Sequence, residues 1–93
     1  MQPGECEHLA AITEASAGVR TAARQECDEC VKTGDSWVHL RTCQTCGGTH
    51  CCDSSPNRHA TRHAQITGHP VVSSAEAGER WLYCYPDNKV TGY

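Results

Sequence analysis

The chain has 93 residues, a net charge of -3 with its histidines neutral, no Phe and one Met. Its hydrophobic fraction of 38% counts the eight cysteines, so apolar burial alone is too small to offset the ordering cost. The charge excludes the basic footprint that a phosphate backbone requires, which argues against a nucleic-acid partner, and no apolar run is long enough to cross a bilayer, which argues against a membrane one.

Stability must then come from the eight cysteines and six histidines, as disulfides or as metal ligands. The start, Met1-Gln2-Pro3-Gly4-Glu5-Cys6, has neither the basic residues nor the apolar stretch of a secretory signal. Two Cys-x-x-Cys pairs beside regularly spaced histidines favour zinc, held in a reducing cytoplasm, over a disulfide framework. The length predicts a single domain over residues 1–93.

Taken in order, Cys6-Glu7-His8 comes first. In an extended segment residues i and i+2 share a side, so this pair supplies half a zinc site. Residues 13–26 are small and mixed in pattern and leave a helix or a loop and strand open. Cys27-Asp28-Glu29-Cys30 follows, a turn whose thiolates can wrap one ion. A redox role would need a low thiol pKa, which the two central acids oppose.

Trp37 to Arg41 alternates and predicts a strand, with Val38 and Leu40 turned to the core and His39 left as a strand residue rather than a ligand. Cys43-x-x-Cys46 forms the next ligand pair, and Gly47-Gly48 turns the chain towards Cys51 and Cys52. Adjacent side chains diverge, so one of these two cysteines serves as ligand and the other as a packed or reactive thiol. Asp53-Ser54-Ser55-Pro56 predicts a helix start with a serine cap, and the helix runs over about 56–67 to Gly68.

His59 and His63 lie on one face of that helix. A hydrolytic zinc site of the His-Glu-x-x-His kind needs a glutamate after the first histidine; Ala60 stands there, so the pair feeds two neighbouring structural sites instead. His69-Pro70 turns into a short apolar strand. Residues 80–85 form another, with Trp81 and Tyr83 on one face and Leu82 and Cys84 on the other. Lys89 to Tyr93 is a short tail strand or coil.

These residues together resemble the UBP-type zinc finger, found in ubiquitin-specific proteases, in one histone deacetylase, in an E3 ligase and as a stand-alone bacterial protein. The resemblance rests on Cys6-x-His8, Cys27-x-x-Cys30, Trp37-Val38, Cys43-x-x-Cys46-Gly47, Cys51, His59-Ala60-x-x-His63-Ala64, Gly68-His69-Pro70 and Trp81-x-x-Cys84. It covers nearly the whole chain. The Cys51-Cys52-Asp53-Ser54-Ser55 segment looks most like the bacterial members.

The three-zinc form of that family implies that Cys27, Cys30, Cys51 and His59 close one site and that Cys43, Cys46, His63 and His69 close a second. Cys6, His8 and Cys84 contribute to a third, where Asp87 stands in place of the cysteine of eukaryotic members. Two or three zinc ions are implied, three preferred, with Cys52 as the alternative to Cys51. The implied fold is α+β: a small zinc-stabilised domain with a twisted antiparallel sheet and one main helix.

The resemblance also implies a non-catalytic protein-interaction module. Eukaryotic members grip the free C-terminal Gly-Gly of ubiquitin with pocket aromatics and an arginine in a Cys-Gly-Arg-Tyr segment. Here Asp53 occupies the arginine position and Ser54 the tyrosine position, and an acid there repels a carboxylate. Ubiquitin itself is therefore disfavoured, and the expected partner is another protein or peptide segment, including a C-terminal tail. Trp81, with Tyr83, Trp37 and Asp53, is the expected contact surface, in a pocket between the Trp81 strand and the 51–55 loop; core packing is the competing role for both tryptophans. The alternative function is a zinc-dependent enzyme or zinc-responsive regulator. It requires an incompletely closed metal site, as the third would be without Asp87.

Overall fold

A computed structural model describes residues 6–14, 18–22 and 24–93. Among these residues, three helices, α1 (Glu7–Glu14), α2 (Cys30–Thr33) and α3 (His59–Thr67), accompany five strands: β1 (Leu40–Cys43), β2 (Thr49–Cys51), β3 (Val71–Ser74), β4 (Trp81–Cys84) and β5 (Lys89–Gly92). The strands form one antiparallel sheet in the order β2-β1-β3-β4-β5. The domain is α+β, as the sequence predicts. Among the described residues no helix is long and apolar enough to cross a membrane.

The register sorts side chains onto two faces, because residues paired directly across a ladder point the same way. Val72 pairs with Cys43 and Tyr83, and Val90 with Tyr83, so Arg41, Val72, Trp81, Tyr83 and Val90 share one face. Val71, Leu82, Cys84, Thr42 and Leu40 share the other. On that face Val71, Leu82 and Cys84 pack with Cys6 and Leu9 into one small apolar cluster, and Leu40 packs with Cys27, Cys30, Cys51 and Ala75 into a second. Half of the ten buried residues in these clusters are cysteines, which shows how little aliphatic core the chain owns.

Three local expectations change. Cys6 and His8 do not sit in an extended segment. Helix α1 begins at Glu7, and the Ala10 N–H donates to the Cys6 carbonyl. The strand expected from Trp37 begins only at Leu40, and Val38 is 51% exposed rather than buried. The reason is competition: the Val38 N–H donates to the Ser55 hydroxyl instead of to a strand. The same bond removes Ser55 from capping duty. Helix α3 starts at His59 behind a left-handed Arg58 (φ 48°) with no side-chain cap, and ends at Gly68 (φ 76°), where the positive φ suits glycine.

Candidate metal centres

Among the described residues, three turns, the end of β2, helices α1 and α3 and the loop after α3 deliver three sets of four donors. In the first set, the Cys27–Cys30 turn, the end of β2 and the first turn of α3 bring Cys27, Cys30, Cys51 and His59 together. His59 Nδ1 lies 3.3 Å from Cys27 Sγ, 3.3 Å from Cys30 Sγ and 3.5 Å from Cys51 Sγ, and the Cys30 and Cys51 sulfurs are 3.9 Å apart. All three cysteines are 0% exposed. Backbone N–H groups point at the sulfurs: Cys30 donates to Cys27 Sγ at 3.4 Å and His59 to Cys51 Sγ at 3.2 Å. The Asn57 amide also faces Cys30 Sγ, at 3.9 Å, and donates to Asp35 at 3.0 Å.

The second set is Cys43, Cys46, His63 and His69. Cys43 Sγ is 3.4 Å from His69 Nδ1, Cys46 Sγ is 3.4 Å from His63 Nε2, and the two imidazole nitrogens are 3.2 Å apart. Thr67 fixes the loop between the histidines: its hydroxyl donates to the His63 carbonyl and accepts from the His69 N–H. Helix α3 therefore serves both sets, because His59 and His63 are one turn apart. His50, to which sequence reasoning gave no role, is buried and stacks on His63 with ring centroids 4.5 Å apart.

The third set is Cys6, His8, Cys84 and Asp87. Asp87 Oδ2 lies 2.8 Å from Cys6 Sγ, 3.2 Å from His8 Nδ1 and 3.7 Å from Cys84 Sγ; His8 Nδ1 lies 3.4 Å from Cys84 Sγ. Asp87 thus reaches the position that a fourth ligand needs.

Zinc–sulfur bonds of about 2.3 Å and zinc–nitrogen bonds of about 2.0–2.1 Å give a ligand tetrahedron with edges of roughly 3.3–3.8 Å. The donor separations in the first two sets fall at or close to that range. They do not fit disulfides, whose sulfurs sit about 2.05 Å apart, and all eight cysteines are free. Protonation is also suitable. Without an ion, burial and the Cys27 hydrogen bond push the Cys30 thiol up to about 12, burial pushes Cys84 up to about 11, and burial raises Cys43 as well. Burial lowers His50 and His63, keeping their imidazoles neutral. Such thiols stay protonated unless a cation stabilises the thiolate, and neutral imidazole is the form that ligates. The residues present therefore fit zinc.

A family model described as the zinc finger in ubiquitin hydrolases and other proteins matches residues 27–91. The chain belongs to this family. It is also 28% identical over 89 residues to ubiquitin carboxyl-terminal hydrolase 14 of Schizosaccharomyces pombe, a match covering 86% of the chain but 11% of that protein. Only a small fraction of that relative is thus represented here. The solution NMR structure of protein RPA1320 from Rhodopseudomonas palustris superposes with a TM-score of 0.79 at 43% identity, covering 99% of this chain and 84% of that one. The chain is accordingly a zinc-binding module of the UBP type.

This UBP-type finger carries a groove of about 430 Å³ on the face away from α1. Arg41, Val72, Trp81, Tyr83 and Val90 form its floor, and Cys52, Asp53, Thr61 and Tyr85 complete its walls. The Arg41 guanidinium stacks 4.6 Å from the centroid of Trp81. Asp53 accepts from the Thr61 hydroxyl, and Tyr83 meets Tyr85 edge-on at 5.0 Å. The groove does lie between the Trp81 strand and the 51–55 loop. Trp37 is not part of it: that ring packs, partly buried, against the cluster of Cys27, Cys30, Leu40, Cys51 and Ala75. Sequence reasoning missed Arg41 and Tyr85 as groove residues; the alternation that turns Leu40 inward was the available signal for Arg41.

The structure also separates the two adjacent cysteines. Cys51 joins the first donor set, while Cys52 turns into the groove wall beside the Ser55 hydroxyl. Burial alone would raise the Cys52 thiol. The Ser55 hydroxyl and the backbone near His39 and Ser54 outweigh it and bring the thiol down to about 7.

Proposed function

We propose that this chain is a non-catalytic protein-interaction module in which each of the three donor sets holds one structural zinc, and in which the aromatic groove receives a partner's peptide segment through a carboxylate. The observation that carries the partner reading is Arg41. Its guanidinium lies half-buried over Trp81 and donates to the Leu40 carbonyl, and among the described residues no carboxylate pairs with it. A cation held against aromatic rings and left without an anion suits a carboxylate ligand. Asp53 counts against an anion at its own end of the groove. Arg41, arriving from β1, supplies positive charge to the same groove. A chain terminus and an acidic side chain both offer the required group.

The zinc ions would supply cross-links that join α1, the turns, α3 and the sheet into one domain. Structural zinc contributes about 10–16 kcal/mol per site in small fingers at neutral pH. With four protein donors per set, no coordination position is left for substrate, and the free thiols suit a reducing cytoplasm.

Titration of the zinc-loaded chain with short peptides, followed by tryptophan fluorescence, tests the groove. Peptides ending in a free carboxylate, the ubiquitin tail among them, should bind better than their C-terminal amides. Arg41→Ala should remove that preference, while Arg41→Lys retains part of it. Equal binding of acid and amide forms, unchanged in Arg41→Ala, would overturn the carboxylate reading.

A further inference from the structure

The third donor set differs from the other two in ways that bear on how it holds an ion. Its fourth donor is a carboxylate, a harder ligand than the thiolates that suit zinc well. His8 and Asp87 each have 44% of the side chain open to water, whereas the first set is sealed around three fully buried thiols. The second set has one exposed thiol, Cys46, but no carboxylate. Water and competing ligands therefore reach the third set most easily.

Its placement is also distinctive. Cys84 and Asp87 belong to the β4–β5 hairpin, while Cys6 and His8 come from the start of α1, 76 and 81 positions away along the chain for the pairs in contact. Helix α1 has eight residues, too few to persist alone in water. Its apolar grip on the sheet is Leu9, buried against Val71 and Leu82, with Ile12 partly buried beside it. One leucine and part of an isoleucine do not offset the cost of ordering eight residues.

We infer that Cys6, His8, Cys84 and Asp87 form an exchangeable divalent-metal site, looser than the other two, whose occupancy docks α1 on the sheet. Loss of that ion releases α1, uncovers Leu82 and Val71, and leaves the α3 end of the domain folded. The module is thereby metal-responsive at one end. This rests on the reading that the donor sets hold zinc.

Native mass spectrometry of the zinc-loaded chain during challenge with a chromogenic chelator, paired with hydrogen exchange, tests it. Three ions should be bound at saturation, and one should leave well before the other two. The amides of residues 9–14 should lose protection with that first ion, while those of α3 keep theirs. Asp87→Cys should delay the first loss, and His8→Ala should remove one ion without unfolding α3. Three ions leaving together, or a first loss that exposes α3 rather than α1, would overturn the inference and leave the three-zinc reading standing. Two ions bound at saturating zinc, unchanged in His8→Ala, would overturn both.

Discussion

The two ends of the sheet are built on different chemistry. At the β2 end, two donor sets share α3, and three of the five buried residues in the local apolar cluster are cysteines. At the β4–β5 end, Leu9, Val71 and Leu82 form the nearest thing to an ordinary core, backed by one solvent-open donor set. The difference shows that a chain without Phe divides its stability unevenly: removal of metal ligands threatens the first end, and removal of methyl groups the second.

The largest effect is expected from the adjacent cysteines. Cys51→Ser should lose one zinc and unfold the β2–α3 end, because a sealed site forfeits a contribution on the order of 10 kcal/mol. Cys52→Ser should keep every ion and its thermal midpoint within a few degrees, since Cys52 lies outside the donor sets. Metal counting beside a thermal melt compares the two. Matching ion loss in both variants would erase the distinction drawn between these thiols.

Proton linkage is expected at both ends. In the metal-free fold burial raises Cys30 to about 12 and Cys84 to about 11, above the ordinary thiol value of 9.0. A raised pKa favours the protonated form, so this contribution is fully present below about pH 9 and is lost as pH rises through 11–12. Zinc inverts the preference, since ligation requires thiolate. Loading at neutral pH should therefore release protons, and zinc affinity should fall as pH falls. Calorimetry in buffers of different ionisation enthalpy reads the proton count; zinc uptake without proton release would contradict the assignment of these thiols as ligands.

A smaller loss is expected at the other end. Leu82 is 0% exposed, and Leu82→Ala should cost about 2–5 kcal/mol without changing the zinc count. The smallest effect belongs to Val38. Exposed as it is, Val38→Thr should shift stability by less than about 0.5 kcal/mol in a denaturant melt. A loss of core size there would mean that the strand does extend back to Trp37.

Those last two residues show what could be read from the sequence. The alternation of β4 is a local property, so Leu82 and Cys84 inward and Trp81 and Tyr83 outward follow from four residues. Ligand spacing is equally local: a Cys-x-x-Cys turn or histidines four apart on a helix declare themselves without knowledge of the fold. Val38 was misread because its N–H is taken by Ser55, 17 residues later. Ser55, expected as the cap of α3, accepts that bond, and α3 begins at His59. Alternation turns Arg41 away from Leu40, but its neighbours Val72, Trp81 and Tyr83 on that face follow from the pairing of β1 with β3 and β3 with β4, a register that no short pattern encodes. Trp37, expected in the contact surface with core packing as its competing role, takes the packing role and covers the first donor set.

The central claim is that thiolate and imidazole ligation replaces the missing core. Circular dichroism of the loaded chain, recorded while a strong chelator strips the ions and native mass spectrometry counts those remaining, tests it directly. The account predicts that sheet and α3 signals collapse as the last two ions leave, and return on adding zinc. An ion-free chain that keeps its full spectrum and melts at the same temperature would contradict it.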